Sequence, residues 1–335
     1  MTTRARDHRF VPFLALSVVT ALWGSTFVLS KDLLERHDPL TVLSVRFVIA
    51  AFCLWAVRPA ALRGLPRRTW WTAMVLGAVY GSAQIPQYYG LQMTTASTSG
   101  LLIGSYVIFT PAVAWLLWRV RSSPRTLTGV GLAALGLTTF SLQDARIGPG
   151  ELLALGAAVL YAVHIVSMGR WSTPGQTWAM TTIQMMTISV VVSVPALVRG
   201  PQVPGWGTDW LLIGYLALIS GALAIGVQTW AQTRIPAAHA AIIMAAEPIW
   251  AAGLAVLILG DLLTWRMVFG GAMLLAANAL VATGDRREAV VVSAPDALST
   301  GWCEDEEEPE VEEPAGEETP AVGRVDSAGD PDRVS

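Results

Sequence analysis

Seven side chains able to do chemistry lie inside apolar runs of this 335-residue chain: Trp23, Ser25, Arg46, Tyr106, His164, Gln228 and Glu247. Glu247 is the most exposed to question. It interrupts AAHAAIIMAAEPIWAAGLAVLILG and is followed at once by Pro248. Glu247 lies eleven residues past Pro236, about 16 Å along a helix that needs about 30 Å to cross a bilayer. A charge at that depth costs roughly 2.5–3.5 kcal/mol. Its carboxylate is too short to reach the surface, so it faces the interior, where it either exchanges a proton or pins helices through a hydrogen bond. Pro248 removes a backbone donor and frees a carbonyl one turn back.

Arg46 lies six residues past Leu40, about 9 Å from the helix end. It can snorkel to the surface, pair with an acid such as Glu247, or hold an anionic group. His164, deep in LYAVHIVSM, is either a satisfied helix contact or a group titrating near neutral pH. Trp23 and Ser25 belong to WGST, Tyr106 to IGSYVIF, and Gln228 precedes Trp230. With Gln84 and Gln87 they offer donors and aromatic walls for a cavity. Their plainer role is interhelical hydrogen bonding, worth about 0.6 kcal/mol each. Deep within the spans there is one carboxylate, one His and no paired acids or ligand pair, and the chain has no CxxC or HxxxH spacing and no phosphate-binding GxxxxGK[ST] loop. No catalytic residue, metal or cofactor is therefore expected.

The elements that must position these residues are membrane helices. The chain is 53% hydrophobic and 14% charged, against about a quarter charged in soluble proteins. Two cysteines, Cys53 and Cys303, give no disulfide framework. Ten candidate spans follow one another at 11–31, 40–58, 70–91, 96–118, 126–142, 150–168, 177–198, 209–231, 237–260 and 264–283, with short linkers between them. The first continues through WGSTFVLS without a small-residue cleavage site, so it is taken as a span and not as a signal peptide.

Charge is unevenly spread. Residues 1–288 hold 20 of the 22 basic and 11 of the 25 acidic residues, a net of +9, and residues 289–335 carry a net of −12. Sorting the linkers alternately places 14 Arg on one side and 5 Arg or Lys on the other, Arg58 and Arg234 in the first set and Lys31, Arg36 and Arg199 in the second. The positive-inside rule puts the first set, both termini and the 1–10 segment in the cytoplasm. The tail 289–335 is acidic and Pro-rich and is expected to be disordered.

The chain resembles itself. LALSVVTALWGSTFVLSKDL aligns with LLALGAAVLYAVHIVSMGRW, placing Trp23 opposite Tyr161; SGLLIGSYVIFTPAVAWLL matches AHAAIIMAAEPIWAAGLAV, placing Pro111 opposite Pro248. Repeats over 11–142 and 150–284, each of five spans, must enter the membrane from opposite faces, because five is odd. The expected fold is an all-α integral membrane protein of ten transmembrane helices in two inverted five-helix repeats.

ALWGSTFVLSK, DPLTVLSVRFVIAA, TTASTSGLLIGSYVIFTPAVAWLL and AAHAAIIMAAEPIWAAGLAVLILGD resemble signature segments of the drug/metabolite transporter superfamily, in particular its EamA-type members. The resemblance implies a ten-helix, inverted-repeat carrier in the inner membrane of a kind that commonly exports amino acids or other small metabolites, driven by protons. On the residues themselves, Glu247 is the candidate for proton coupling and Trp23, Ser25, Arg46, Tyr106, His164 and Gln228 are the candidates for the substrate cavity. The partners implied are a small-molecule substrate and the lipid bilayer, not nucleic acid, with oligomeric state open. A passive channel is the alternative, and an intramembrane enzyme a remote one. One departure stands out. Family members often end the fourth and ninth helices with Gly-Glu, whereas here the second copy has Gly260-Asp261 and the first has Trp118-Arg119.

Overall fold

The computed structural model describes residues 4–141, 148–200, 204–205, 207–254 and 264–282. The tail 289–335 and the Gly260-Asp261 pair lie outside the described residues. The described elements are all helical: α1 (Arg4–Leu34), α2 (Pro39–Val57), α3 (Arg67–Met93), α4 (Ala96–Gly104), α5 (Tyr106–Trp118), α6 (Pro124–Ser141), α7 (Pro149–Trp171), α8 (Thr177–Arg199), α9 (Asp209–Ala217), α10 (Ala224–Gln232), α11 (Ala237–Met244), α12 (Glu247–Leu254) and α13 (Trp265–Ala282). A 3₁₀ turn, Pro59–Leu62, follows α2, and a π turn, Leu218–Leu223, joins α9 to α10.

Six stretches are long and apolar enough to cross a membrane: Phe10–Leu34, Pro39–Val57, Thr98–Trp118, Pro149–Trp171, Thr177–Arg199 and Asp209–Gln232. The other four expected spans fall on α3, α6, α11–α12 and α13. Of these, α3 is diluted by Gln84, Gln87 and three tyrosines, and the apolar stretches Ala237–Ala251 and Val268–Leu280 are short.

Local chemistry sets the helix ends. Asp38 caps α2 by accepting from the Leu40 N–H at 2.9 Å, with Pro39 in the first turn. Glu151 reaches back to the Gly148 N–H at 2.9 Å and starts α7. Lys31 donates to the carbonyls of Leu91 and Gln92 at 3.0 Å and of Thr94 at 2.8 Å, closing the C-terminus of α3.

Along α2, Leu43, Phe47 and Ala50 are buried while Val48, Phe52 and Trp55 are exposed. Both sides are apolar, as expected of a helix with protein on one face and lipid on the other. The helices pack in exchanged pairs. α3 lies along α7 and α8, and α9–α10, its counterpart in the second copy, touches α1 and α2. α4–α5 pack on α7 as α11–α12 pack on α1, while α2 pairs with α8 and α6 with α13. Such reciprocity is what a two-fold relation between halves produces. Close approach is allowed by small residues. A Cβ on Gly77 would meet the Gln184 carbonyl oxygen at 2.7 Å, which seats α3 on α8.

The expected kink sites behave differently from a bent single helix. The fourth span breaks at Ser105, six residues before Pro111. The ninth breaks at Ala245–Ala246, so Glu247 opens a new helix and Pro248 sits in its first turn, where a missing N–H costs little.

Candidate functional site

A cavity with an empty volume of about 600 Å³ lies within the bundle, lined from both halves. α1 contributes Trp23, Thr26 and Ser30; α2 gives Arg46; α3 gives Tyr80, Gln84, Gln87 and Tyr88; α5 gives Tyr106. From the second half come Tyr161 and His164 of α7, Ser220 of the π turn, Gln228 of α10 and Glu247 of α12. Six of the seven residues singled out in the sequence are therefore brought together. Ser25 is not among the lining residues. Its hydroxyl donates to the Leu22 carbonyl at 2.7 Å and meets the Tyr215 hydroxyl at 2.8 Å, tying α1 to α9.

Arg46 is 4% exposed, and from Nη1 it donates to the Tyr88 hydroxyl, which also meets Ser30 Oγ at 3.0 Å. It does not snorkel. Its guanidinium carbon sits 4.6 Å from the Phe47 ring centroid, a cation–π contact. Glu247 is 5% exposed, and among the described residues it has neither an ion-pair nor a hydrogen-bond partner. Arg46 and Glu247 thus put a basic and an acidic group into one cavity without pairing with each other.

The aromatic wall is held by side-chain bonds. Tyr161 accepts from Gln84 Nε2 at 2.6 Å and donates to Gln87 Oε1. Tyr80 packs edge-on against Tyr161 and His164, with ring centroids 5.3 and 5.0 Å apart. His164 Nε2 meets Gln184 Oε1 at 3.2 Å, so Nε2 donates and Nδ1 is left as an acceptor. Trp23 donates from Nε1 to the Ser220 carbonyl at 2.9 Å.

Several polar atoms of the lining are buried with no partner: Arg46 Nε, Gln84 Oε1, Tyr106 Oη, His164 Nδ1, Ser220 Oγ and Gln228 Oε1. Leaving such groups bare costs about 1–3 kcal/mol each. All six belong to residues that line this one space. Tyr80, Tyr88 and Tyr161 were not singled out as site residues from the sequence, although the alignment that sets Tyr161 opposite Trp23 pointed to one of them. Among the described residues, no group of three or more His, Cys, Asp or Glu is placed to hold a metal ion.

Comparison with known proteins bears on this cavity. The model of the EamA-like transporter family matches residues 11–142 and again 148–283. An uncharacterized transporter of Archaeoglobus fulgidus is 26% identical over 274 residues, covering 80% of this chain and 84% of its own. Uncharacterized transporter YwfM of Bacillus subtilis is 25% identical, covering 83% of this chain and 95% of its own. Uncharacterized inner membrane transporter YedA of Escherichia coli strain K12 is 23% identical, covering 66% and 74%. A solved crystal structure superposes with a TM-score of 0.67 at 17% identity, over 85% of this chain and 100% of its own, a likeness of fold.

Proposed function

Because the chain belongs to the EamA-like transporter family, and so is a multi-pass membrane transporter and not an enzyme, we propose that it is a secondary carrier exporting a small metabolite, an amino acid or similar molecule. It works by alternating access across the inner membrane, with ten spans in two oppositely oriented repeats and both termini in the cytoplasm. The observation that carries this reading is the cavity between the halves, where Arg46 from the first half and Glu247 from the second remain unpaired with each other.

Arg46, fixed by Tyr88, receives the anionic end of the solute through charge-assisted hydrogen bonds. Glu247 holds either a proton or the cationic end of the solute, and competition between the two couples their movements. Tyr80, Tyr106, Tyr161 and Trp23 wall the space, while His164 and Gln228 supply further hydrogen bonds. Reciprocal packing lets one half rock against the other around a fixed site.

The test is efflux and uptake in proteoliposomes with a panel of amino acids and related metabolites, with and without a pH gradient. Saturable movement of a solute supports the carrier. A flux that never saturates means a passive channel, and no movement under any gradient ends the proposal. Impermeant thiol labelling of cysteines placed at positions 64 and 200 tests the inverted arrangement, which requires opposite membrane faces.

A further inference from the structure

A second empty space, of about 1400 Å³, opens on the lipid-facing side of the bundle between the end of α2, the start of α8 and α10. It lies across α10 from the cavity: Gln228 lines the cavity, whereas Gly226, Val227 and Trp230 line the groove. Its walls are Leu54, Leu218, Leu223, Val227 and Trp230, of which Leu218 and Leu223 are 39% and 52% exposed. The floor owes its depth to missing side chains. At Gly226 a Cβ would find only Thr181, at 3.7 Å.

One end of this apolar groove carries two cations, Arg58 and Arg234. Neither is ion-paired with a carboxylate among the described residues. Arg234 donates to the Trp230 carbonyl at 2.8 Å and to Thr233 Oγ1 at 2.7 Å, and lies 4.4 Å from the Trp230 ring centroid. That leaves guanidinium donors over. At the same end α8 begins without a side-chain cap, so its first N–H groups add positive potential. The groove wall there includes the Trp178 indole, whose Nε1 has no acceptor.

From Leu218 to Arg234 the groove runs along sixteen residues of helix, about 24 Å. One leaflet with its headgroup layer measures about 20–22 Å. We propose that this groove binds one anionic glycerophospholipid, its phosphate between Arg58 and Arg234 and one acyl chain lying along α10. A soluble anion would leave the apolar length empty. A zwitterionic headgroup would bring a cation onto two arginines. A helix from a second copy would leave both arginines without an anion. A bound lipid presses on the face of α10 opposite Gln228, so occupancy bears directly on the cavity wall.

The experiment is native mass spectrometry of the full-length protein in detergent, titrated with phosphatidylglycerol or phosphatidylcholine of identical chains. Near a membrane surface each arginine contributes about five-fold, so wild type should retain phosphatidylglycerol roughly 25-fold better. Arg58→Gln with Arg234→Gln should abolish that preference. Gly226→Leu, which fills the groove, should weaken both lipids, while Arg121→Gln, outside the groove, should behave as wild type. Thermal unfolding of each variant shows that it folds. Equal retention of the two lipids by wild type overturns the proposal. So does a preference that survives the double variant, binding untouched by Gly226→Leu, displacement of the lipid by inorganic phosphate alone, or an equal loss in Arg121→Gln. A dimer dissociated by Gly226→Leu would assign the groove to a second copy and overturn it as well.

Discussion

Gly24 lies so close to Glu247 that a Cβ on the glycine would meet the glutamate's carbonyl oxygen at 2.9 Å and the Trp250 Cβ at 2.8 Å. The notch in α1 beside Trp23 is therefore the seat on which α12 rests and from which Glu247 is presented to the cavity. Neither contact is with the far end of a flexible side chain, so a methyl group there must move a helix. Gly24→Ala is expected to lower stability by about 1–3 kcal/mol and to impair transport. Tryptophan-monitored thermal unfolding in detergent reads the first effect. An unshifted midpoint would mean that α1 and α12 separate freely.

Glu247→Gln keeps the shape and removes the charge. Since the carboxylate has no ion-pair partner among the described residues, the change breaks no pair, and stability should hold or rise. Flux in proteoliposomes should lose its dependence on pH while exchange of solute for solute continues. A variant whose pH profile overlays that of wild type would remove Glu247 from coupling.

Tyr161→Phe tests the wall. An interhelical hydrogen bond in a membrane averages about 0.6 kcal/mol, which would make the change slight. Here one hydroxyl serves two buried amides, Gln84 and Gln87, and its loss strands both. The expected cost is about 1–3 kcal/mol for each stranded group. A shift in unfolding no larger than that of a lone hydrogen bond would show that the amides find other partners.

At the Asp38 end of the bundle, charges tie the halves together. Arg36 holds Asp32 at 2.7 Å and Asp209 at 2.9 Å, and His37 Nε2 meets Asp209 at 2.7 Å. Exposed pairs of this kind contribute up to about 1 kcal/mol each, so Asp209→Asn should scarcely change the unfolding midpoint. It should, however, loosen closure at that end. With Cys53 and Cys303 replaced by serine, a cysteine at Thr26 in the cavity should label faster with an impermeant thiol reagent added from that side. Unchanged labelling would show that the cluster does not hold the halves together.

Trp23, Arg46, Tyr106, His164, Gln228 and Glu247 were legible because each interrupts an apolar run at a depth where lipid gives it nothing to bond with. Tyr80, Tyr88 and Tyr161 were not: Tyr106 drew notice beside Ser105 in IGSYVIF, whereas a tyrosine without such a neighbour is equally at home at the membrane interface. Only the fold shows three hydroxyl-bearing rings converging. Ser25 misled for a related reason. A small hydroxyl beside Trp23 looks like cavity lining, yet its partner, Tyr215, lies 190 positions away. The break at Ser105 was hidden by Pro111, since proline advertises a kink and serine does not. Arg36 and Arg199, which the linker pattern sets on one side, lie near each other in the fold: Arg199 is 3.8 Å from Asp38, two residues past Arg36. Arg58 closes the other end of α2, nineteen residues along, or about 29 Å away.

The π turn at Leu218–Leu223 accommodates one residue more than an α-helix would. Each residue advances a helix by about 100°, so that insertion fixes the azimuth of everything downstream. Excising a single position from the turn would rotate Gln228 a quarter-circle off the chamber and carry Trp230 with it. The internal wall and the bilayer-facing trough, which share this turn through Ser220 on one side and Leu218 and Leu223 on the other, would then lose their register together.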